Sequence, residues 1–532
     1  DHIFREEREP EEIEEFDETP DYAPDSLRET DIAARIGAEY LKGKFIAVGK
    51  SAWYRWDGRR FERLESDDPV YGAVRKAIED IYRVESDKAY QRHRDAHERA
   101  AKLADEKAQK VARAEADRAL DATLKALSGM FNVRRIRQAF MVAAREQIWV
   151  KAEDLDTHHE LFNAANGVVD LRSGALMPHD QKYLFTKVSD TAYKPDATHR
   201  DFVAALESIP AAYRNDLRYR FGWALTGYPP SDSRVAVMYG DGANGKSVLL
   251  DAMTGAAGEL AVMIPPKALL QNANDHSTEL MPLKGARLAF IEELPEGDYL
   301  NVQTLKRVMG TSQITARFIG ENNITWDATH SLFITTNYAV KVDAVDYGSR
   351  RRFAKFDFPY RYVTEPSPGH SEERRGDPGL RERVRADKAV HEAALAWMVA
   401  GCLAVFDNGG AIPELSPEVV QATDAWWFSA NQAIRFLNER FEPDPDSAVL
   451  VSDVFAEFKL WAEDHGRKRW SDQTFWSRAL AHPWFADGTA EKSKSSIRTN
   501  SWMISKPAGS SAQLPEKARA VTGIRFIDGD SR

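Results

Sequence analysis

Apolar residues recur with a period of two in some stretches of the chain and with a helical period in others. Residues 31–48 have the pattern of a helix that leads into a strand, and aromatic residues alternate around Asp57-Gly58, which is typical of a β-hairpin. Residues from about 70 to 150 combine charged residues and alanine at helical spacing, which predicts long, exposed helices. Short apolar runs on either side of the turn at Asn166-Gly167 predict a small β-meander.

After residue 200 the pattern becomes that of an α/β fold. Three apolar strands are predicted at 234–239, 287–293 and 331–337, and helical segments separate them. This alternation favours a parallel sheet with crossover helices. Each strand ends in polar residues at its carboxyl end, which is the edge where open α/β sheets bind ligands.

The last third of the chain changes character twice. Residues 358–379 are rich in proline, glycine and charge and are predicted to form a linker, after which helices continue to about residue 440. Two amphipathic helices follow, each preceded by a favourable N-cap pair, Ser452-Asp453 and Ser471-Asp472. A basic turn and strand come next. Helix, helix and basic hairpin is the order of a winged-helix module.

Composition limits the classes of protein to which the chain can belong. The 532 residues carry a formal net charge of −11, much of it in an acidic N-terminal run that we expect to be a solvated tail. This charge does not exclude nucleic acid, because the distribution of charge matters more than its sum. We find no run of about 18 apolar residues and expect no membrane span. The single cysteine, Cys402, excludes a cysteine-based zinc site and fits the reducing cytoplasm, here of a bacterial host.

A glycine-rich loop follows the first of the three strands and matches the pattern G-x-x-x-x-G-K-[ST]. Backbone N–H groups of such a loop point at phosphate oxygens, and the positive end of the next helix adds to the attraction. We expect ATP here, with Lys246 at the β- and γ-phosphates and Ser247 on Mg²⁺. The predicted loop residues are Gly240, Asp241, Gly242, Ala243, Asn244, Gly245, Lys246 and Ser247.

Polar residues at the ends of the other strands complete a candidate hydrolytic set. Of the acidic pair Glu292-Glu293, Glu292 can hold Mg²⁺ through water, and its neighbour can orient and deprotonate an attacking water. The amide of Asn337 can bind that water or the departing phosphate. The arginines at 350–352 can neutralise charge that develops during phosphoryl transfer. The alternatives are an acidic loop, a strand-ending asparagine and a surface basic cluster.

These segments together resemble the superfamily 3 helicases and, more closely, the phage and plasmid primase-helicase family with its poxvirus-type relatives. The resemblance covers most of residues 31–510. It is carried by residues 240–247, 283–294, 305–326, 332–337 and 349–360. It implies an AAA+-like ATPase that assembles as a hexameric ring around DNA, with ATP between subunits.

The resemblance also implies roles for individual residues. Glu292 and Glu293 are the acidic pair, Asn337 is the polar sensor, and Arg351 or Arg352 is the arginine that acts on a neighbouring subunit. Arg350 stands where the family commonly has an aromatic residue. The pore hairpin corresponds to residues 311–326. Lys306, Arg307 and Arg317 are the local cations that could grip a phosphate backbone, and Phe318 could stack on a base or pack in a core.

The expected architecture is α/β, with a parallel-sheet ATPase core flanked by an α+β accessory domain and a C-terminal winged-helix domain. The predicted ranges are an acidic tail at 1–30, the accessory domain at 31–205, the ATPase core at 206–360, a linker and helical lid at 361–430, and the winged-helix-like domain at 431–532.

This organisation predicts an ATP-dependent replicative DNA helicase of a phage, prophage or plasmid. One alternative is a nucleotide-switched protein that binds or loads at an origin without processive unwinding. The other is the helicase part of a primase-helicase, since residues 1–200 show no convincing catalytic acid constellation and a primase would lie upstream or on another polypeptide. The complete hydrolytic set favours the helicase.

Overall fold

The computed structural model describes most of the chain, and the predicted acidic tail lies almost entirely outside the described residues. The contacts divide the chain into two units, one made of residues up to Thr157 with His179–Lys187, and one made of His158–Pro178 with Val188 onwards. The described residues are 28–49, 52–129, 145–270, 277–294, 299–310, 312–318, 322–338, 341–342, 347–430, 432–465, 470–509, 513–527 and 530–531.

The first unit contains a four-stranded sheet and two long helices. Its elements are α1 (Glu29–Arg35), β1 (Phe45–Val48), β2 (Ala52–Trp56), β3 (Phe61–Arg63), α2 (Asp68–Ala101), α3 (Glu106–Gly129) and β4 (Trp149–Val150). The sheet order is β3-β2-β1-β4. The hairpin predicted around Asp57-Gly58 is confirmed, because β2 and β3 pair antiparallel and the Asp57 carboxylate accepts the N–H groups of Arg59 and Arg60 in the turn.

The long helices predicted after residue 70 are also confirmed. The N-terminal part of α2 buries Val70, Val74, Ile78 and Ile81 in the core of the first unit. The C-terminal end of α3 contributes Leu127 to the same core. Further out, both helices are dominated by charged residues and expose most of their surface. Apolar burial therefore anchors the pair mainly at one end.

The second unit contains the remaining elements. Its helices are α4 (Arg200–Leu206), α5 (Arg214–Trp223), α6 (Lys246–Ala257), α7 (Val302–Gly310), α8 (Tyr347–Arg350), α9 (Leu380–Ala386), α10 (Lys388–Asp407), α11 (Pro417–Ala430), α12 (Gln432–Arg440), α13 (Val451–Asp464), α14 (Asp472–Ala479) and α15 (Pro483–Ala486). Its strands are β5 (Leu161–Ala164), β6 (Gly167–Asp170), β7 (Leu176–Met177), β8 (Val235–Tyr239), β9 (Ala261–Met263), β10 (Leu288–Glu292), β11 (Tyr299–Leu300), β12 (Gln313–Ala316), β13 (Ile324–Asp327), β14 (Ser331–Thr336), β15 (Lys341–Val342), β16 (Phe353–Asp357), β17 (Arg361–Val363), β18 (Glu373–Arg375), β19 (Phe441–Leu450), β20 (Glu491–Lys492), β21 (Ile497–Arg498), β22 (Met503–Lys506), β23 (Lys517–Ala518), β24 (Ala520–Phe526) and β25 (Asp530–Ser531).

A five-stranded sheet of order β16-β8-β14-β10-β9 forms the centre of this unit, and every neighbouring pair is parallel. One face packs through Phe290 and Phe333 against Phe221 of α5, with the rings of Phe221 and Phe333 stacked 4.4 Å apart. The other face buries Val237 and Ile334. Burial on both faces explains why these strands are continuous apolar runs. The predicted mixed α/β fold with a parallel sheet is confirmed.

Helix α10 is long and apolar enough to span a membrane by length and composition, although no such segment was predicted from the sequence. In this fold it packs against α5 and α6 and buries residues such as Leu395, Met398 and Val399 in the core beside the sheet. Burial in the core accounts for its apolar composition.

The predicted β-meander is confirmed as the antiparallel sheet β5-β6-β7 and belongs to the second unit. Arg287, 5% exposed, fixes it by donating from Nη1 to the carbonyls of Leu161 and Leu225 at 2.7 and 2.6 Å. The chain from 31 to 205, predicted as a single accessory domain, therefore contributes to both units.

Residues 358–379 differ from the predicted linker. Strands β17 and β18 pair parallel within this segment, and the N–H of Tyr362 donates to the carbonyl of Ala243 at 2.7 Å. The proline, glycine and charge that suggest a linker are here turn and surface residues of an ordered segment against the glycine-rich loop.

The C-terminal part places β19, α13 and α14 around a core that contains Phe458 and Trp461. The predicted cap of α14 is confirmed, because the Ser471 hydroxyl accepts the N–H of Thr474 at 3.2 Å. The predicted cap of α13 is wrong. Strand β19 runs directly into this helix, so Leu450 is the N-cap residue and Ser452 lies inside the first turn.

Candidate functional site

The glycine-rich loop connects the end of β8 to the start of α6. Gly242, Ala243 and Gly245 have φ angles of 100°, 49° and 85°, in the left-handed region. Left-handed residues in a tight loop turn successive backbone N–H groups toward one side, which makes a concave anion-binding surface. At Gly245 a side chain is also excluded by space, because a Cβ there would lie 2.6 Å from the Cβ of Ser208.

Lys246 lies beneath this loop and is only 5% exposed. Its Nζ donates to the Gly240 carbonyl at 2.6 Å, to Asn244 Oδ1 at 3.1 Å and to Asn337 Oδ1 at 3.0 Å. Burial lowers the pKa of Lys246 to about 8, while the charges of Asp241 and Glu293 act in the opposite direction. The ammonium is thus desolvated against neutral oxygens, and an anion would stabilise it.

The hydrogen bond between Lys246 and Asn337 joins two predicted site residues that lie far apart in the sequence. It forms because β14, which ends just before Asn337, is the direct neighbour of β8. Asn244 adds a buried polar group to the same place. It is 4% exposed, and its Nδ2 has no hydrogen-bond acceptor among the described residues.

The acidic pair lies at the same edge of the sheet. Glu292 ends β10 in register with Thr335 of β14, and both glutamates are exposed. Glu293 has a φ of 53°, and its N–H donates to the Thr335 carbonyl at 3.0 Å. A left-handed conformation is costly for a residue other than glycine, and such strain is concentrated at functional sites. The structure therefore brings the loop, Glu293 and Asn337 together.

The predicted arginines lie at the opposite end of the sheet. The Arg352 carbonyl accepts the N–H of Val235 at 2.7 Å, beside the start of β8, whereas the loop begins after its end. A five-residue strand spans about 16 Å, which exceeds the length of an arginine side chain. The structure does not bring Arg351 or Arg352 to the loop of the same chain.

The three arginines differ in their partners. Arg350 forms an ion pair with Asp424 of α11, in which its Nε donates at 2.8 Å. Arg351 is exposed, and its guanidinium makes no hydrogen bond or ion pair with the described residues. Arg352 is half-buried, and its Nε has no acceptor among them. The pairing with Asp424 sets Arg350 apart from the other two.

The segment predicted as a pore hairpin is an antiparallel pair of β12 and β13, whose tip, residues 319–321, lies outside the described residues. Phe318 follows β12 and is 49% exposed, so it does not pack in a core of this chain. Arg317 is also exposed. Lys306 and Arg307 lie on α7, one element earlier, where Lys306 is half-buried and Arg307 exposed.

A cavity of about 280 Å³ that was not predicted from the sequence lies beside the loop. It lies between α4, the loop, α6, β17 and α9, and its lining is mostly apolar. Small side chains from separate segments make it, and no spacing pattern in the sequence marks them. They include Ala204, Ser208, Ala243, Val248, Tyr362 and Leu380.

Two family models match the chain over these regions. Residues 33–209 match the family described as D5 N terminal like. Residues 238–352 match a family of unknown function, DUF5906, and this range contains the loop, the acidic pair, Asn337 and the arginines. With the viral relatives, the D5 match confirms the predicted resemblance to the poxvirus-type primase-helicase family.

Several proteins of large DNA viruses are similar to this chain. "Putative primase C962R" of African swine fever virus is 23% identical over 353 residues, which cover 63% of this chain and 36% of the viral protein. "Putative helicase L207/L206" of Acanthamoeba polyphaga mimivirus is 24% identical, with 46% and 26% covered. "Putative helicase 022R" of Frog virus 3 is 25% identical, with 45% and 25% covered. The chain thus spans about a third or less of the length of these relatives.

Among solved structures, the apo C-terminal region of NrS-1 aligns with 65% of this chain and 81% of its own length at 12% identity. The TM-score of 0.34 is too low to establish a common fold.

Proposed function

We propose that the chain is an ATP-hydrolysing DNA helicase that translocates on single-stranded DNA as a hexameric ring. The observation that carries the proposal is the hydrogen bond between Lys246 Nζ and Asn337 Oδ1, with Glu293 at the same edge. It joins the carboxyl ends of β8 and β14 beside that of β10, which is where open α/β sheets bind ligands. This strand order supports an AAA+-like ATPase core.

The loop has the donor set that a triphosphate needs. Its left-handed residues, the N-terminus of α6 and the desolvated ammonium of Lys246 all favour an anion. In this proposal Ser247 in the first turn of α6 and Glu292 hold Mg²⁺. Bound ATP supplies the phosphoanhydride whose hydrolysis drives movement. The Glu293 carboxylate accepts a proton from the attacking water, and Asn337 orients that water.

The cavity beside the loop is a suitable place for the base and ribose of the nucleotide. It adjoins the loop at Ala243 and Gly245, its volume is about 280 Å³, and its lining is mostly apolar. Pockets for flat aromatic ligands usually combine apolar walls with a few polar groups, here supplied by Ser208 and Asp377.

The position of the arginines supports hydrolysis between subunits. Because Arg351 and Arg352 lie at the far end of β8 from the loop, neither can act on the nucleotide of its own chain. In a ring they would reach the site of the adjacent subunit. Arg351 is the better candidate, since its guanidinium is exposed and makes no ion pair with the described residues.

DNA is assigned to two surfaces in this proposal. Phe318 and the cations Lys306, Arg307 and Arg317 would line the ring, where base stacking and phosphate contacts repeat around the pore. The C-terminal part has the element order of a winged helix, with α12, β19, α13 and α14 followed by the pairing of β20 with β24. We assign duplex DNA to it.

Strand displacement on forked DNA of defined polarity, with and without ATP, tests the proposal. The wild-type chain should displace one strand only with ATP, and Lys246→Ala should bind no ATP and displace nothing while keeping its fold. Unwinding by Lys246→Ala at the wild-type rate would show the loop assignment to be wrong. ATP-dependent assembly on duplex DNA without displacement would instead support an origin-binding or loading protein.

A second candidate is the helicase part of a primase-helicase, which the name of the African swine fever virus relative favours. Primer synthesis on single-stranded DNA, measured with the same preparation, separates the two. Replication of a phage, prophage or plasmid in the bacterial cytoplasm stays a prediction from the sequence.

A further inference from the structure

The outer part of the α2–α3 pair brings together two imidazoles and a carboxylate. His93 and His97 are four residues apart and therefore share one face of α2. Asp117 reaches them from α3. His93 Nε2 lies 2.7 Å and His97 Nε2 lies 2.9 Å from the same oxygen, Asp117 Oδ1. The candidate donor atoms of all three residues lie within 4.8 Å of one another.

This geometry points to a set of metal ligands. The family models and the helicase proposal assign no role to these three residues. We propose that His93, His97 and Asp117 bind a divalent transition-metal ion of the zinc, cobalt and nickel class. Two imidazoles and a carboxylate on adjacent helices supply nitrogen and oxygen ligands of the type these ions take. Three protein ligands leave at least one coordination position, which water would fill.

The orientation and the exposure of the three side chains favour metal binding. Both Nε2 atoms are directed at one oxygen, so a metal ion that replaces the shared protons needs only small side-chain rotations. The histidines are 24% and 34% exposed and Asp117 is 59% exposed, which leaves the ion a path from solvent.

The site would join two helices at a place where apolar packing is weak. Between Ala89 of α2 and Leu127 of α3, the buried residues of the two helices are Ala100 and Ala116 alone among those described. Two alanines bury little apolar surface, so a metal ion that binds the folded pair stabilises it by mass action. We infer that the ion cross-links α2 and α3 and stabilises this outer segment.

Titration of the chelator-treated full chain with Co²⁺, followed by competition with Zn²⁺, tests the proposal. The wild type should bind one tight equivalent, and His97→Ala and Asp117→Asn should each weaken it by about tenfold or more, since even outer-shell partners are worth that much. Asp121→Asn, one turn further along α3, and His370→Ala, an exposed histidine elsewhere, should leave it unchanged. All four positions are exposed or half-exposed, so the variants should fold.

Limited proteolysis supplies a second measurement. Zn²⁺ should slow cleavage within the α2–α3 pair of the wild type and of Asp121→Asn, and should leave the rate unchanged in His97→Ala and Asp117→Asn. Equal affinity in the wild type and the two ligand variants overturns the site. Tight binding that leaves cleavage of the pair unaffected overturns the inference that the ion stabilises the outer segment.

Discussion

ATP binding should weaken as the pH rises from 7 to 9, because Lys246 loses its proton in that range. Burial lowers the pKa of this lysine to about 8 from an ordinary value of 10.5. A lowered pKa means that the folded chain loses the positive charge earlier than the unfolded chain does. The charged form is therefore complete well below pH 8 and is lost as the pH passes through 8.

The size of the effect follows from the fraction of charged lysine. With a pKa of about 8, the ammonium is charged in about 90% of molecules at pH 7 and about 10% at pH 9. If the charged form alone binds the triphosphate, the apparent affinity falls in proportion, by about tenfold or ~1.4 kcal/mol. The phosphate itself is already ionised above its second pKa of about 6. Cys402 does not interfere, because burial raises the pKa of its thiol to about 12.

Calorimetric titration with a non-hydrolysable ATP analogue measures both the affinity and the number of protons taken up on binding. Near pH 8, binding should take up about half a proton, visible as a dependence of the binding enthalpy on the buffer. Lys246→Arg is the matched control, since a guanidinium stays charged throughout this range and its affinity should not change with pH. An affinity of the wild type that is equal at pH 7 and pH 9, or an equal fall in Lys246→Arg, would refute the reasoning.

Four further predictions test other parts of the molecule. Mixing Arg351→Ala with Glu293→Gln should restore some ATPase activity, because each variant can complete a different interface, and no recovery at any ratio argues against a shared site. Phe318→Ala should lower single-stranded DNA affinity by ~1–3 kcal/mol in fluorescence anisotropy, whereas Phe318→Tyr should keep it; equal losses would contradict stacking. Ala204→Trp should fill the cavity and weaken ATP binding but not inorganic triphosphate binding, and an equal effect on both ligands would place the nucleoside elsewhere. Deletion of the chain beyond about residue 430 should reduce duplex DNA affinity and its salt dependence, and unchanged values of both would remove the C-terminal domain from DNA binding.

Short-range patterns in the sequence are enough to predict the local elements that carry the chemistry. The strand, loop and helix around residues 235–257, the acidic pair that ends β10 and the hairpin at Asp57-Gly58 all follow from short-range patterns. Residue periodicity and turn chemistry act within a few positions, so a single sequence contains the information for them. The carboxyl-edge placement of Glu293 and Asn337 also followed, because parallel strands end at a common edge.

Which of these elements contact one another depends on long-range packing. The contact of Lys246 with Asn337 depends on β14 lying next to β8. The separation of Arg351 from its own loop depends on β16 pairing parallel with β8, because Arg351 then lies at the start of β8 and the loop follows its end. The cavity that Tyr362 and Ala204 line needs segment 358–379 to pack on the loop, although its composition suggests a linker. The cluster of His93, His97 and Asp117 needs α2 and α3 in register. In each case the partners are distant in sequence, and periodicity specifies which face of an element is buried but not which segment covers it.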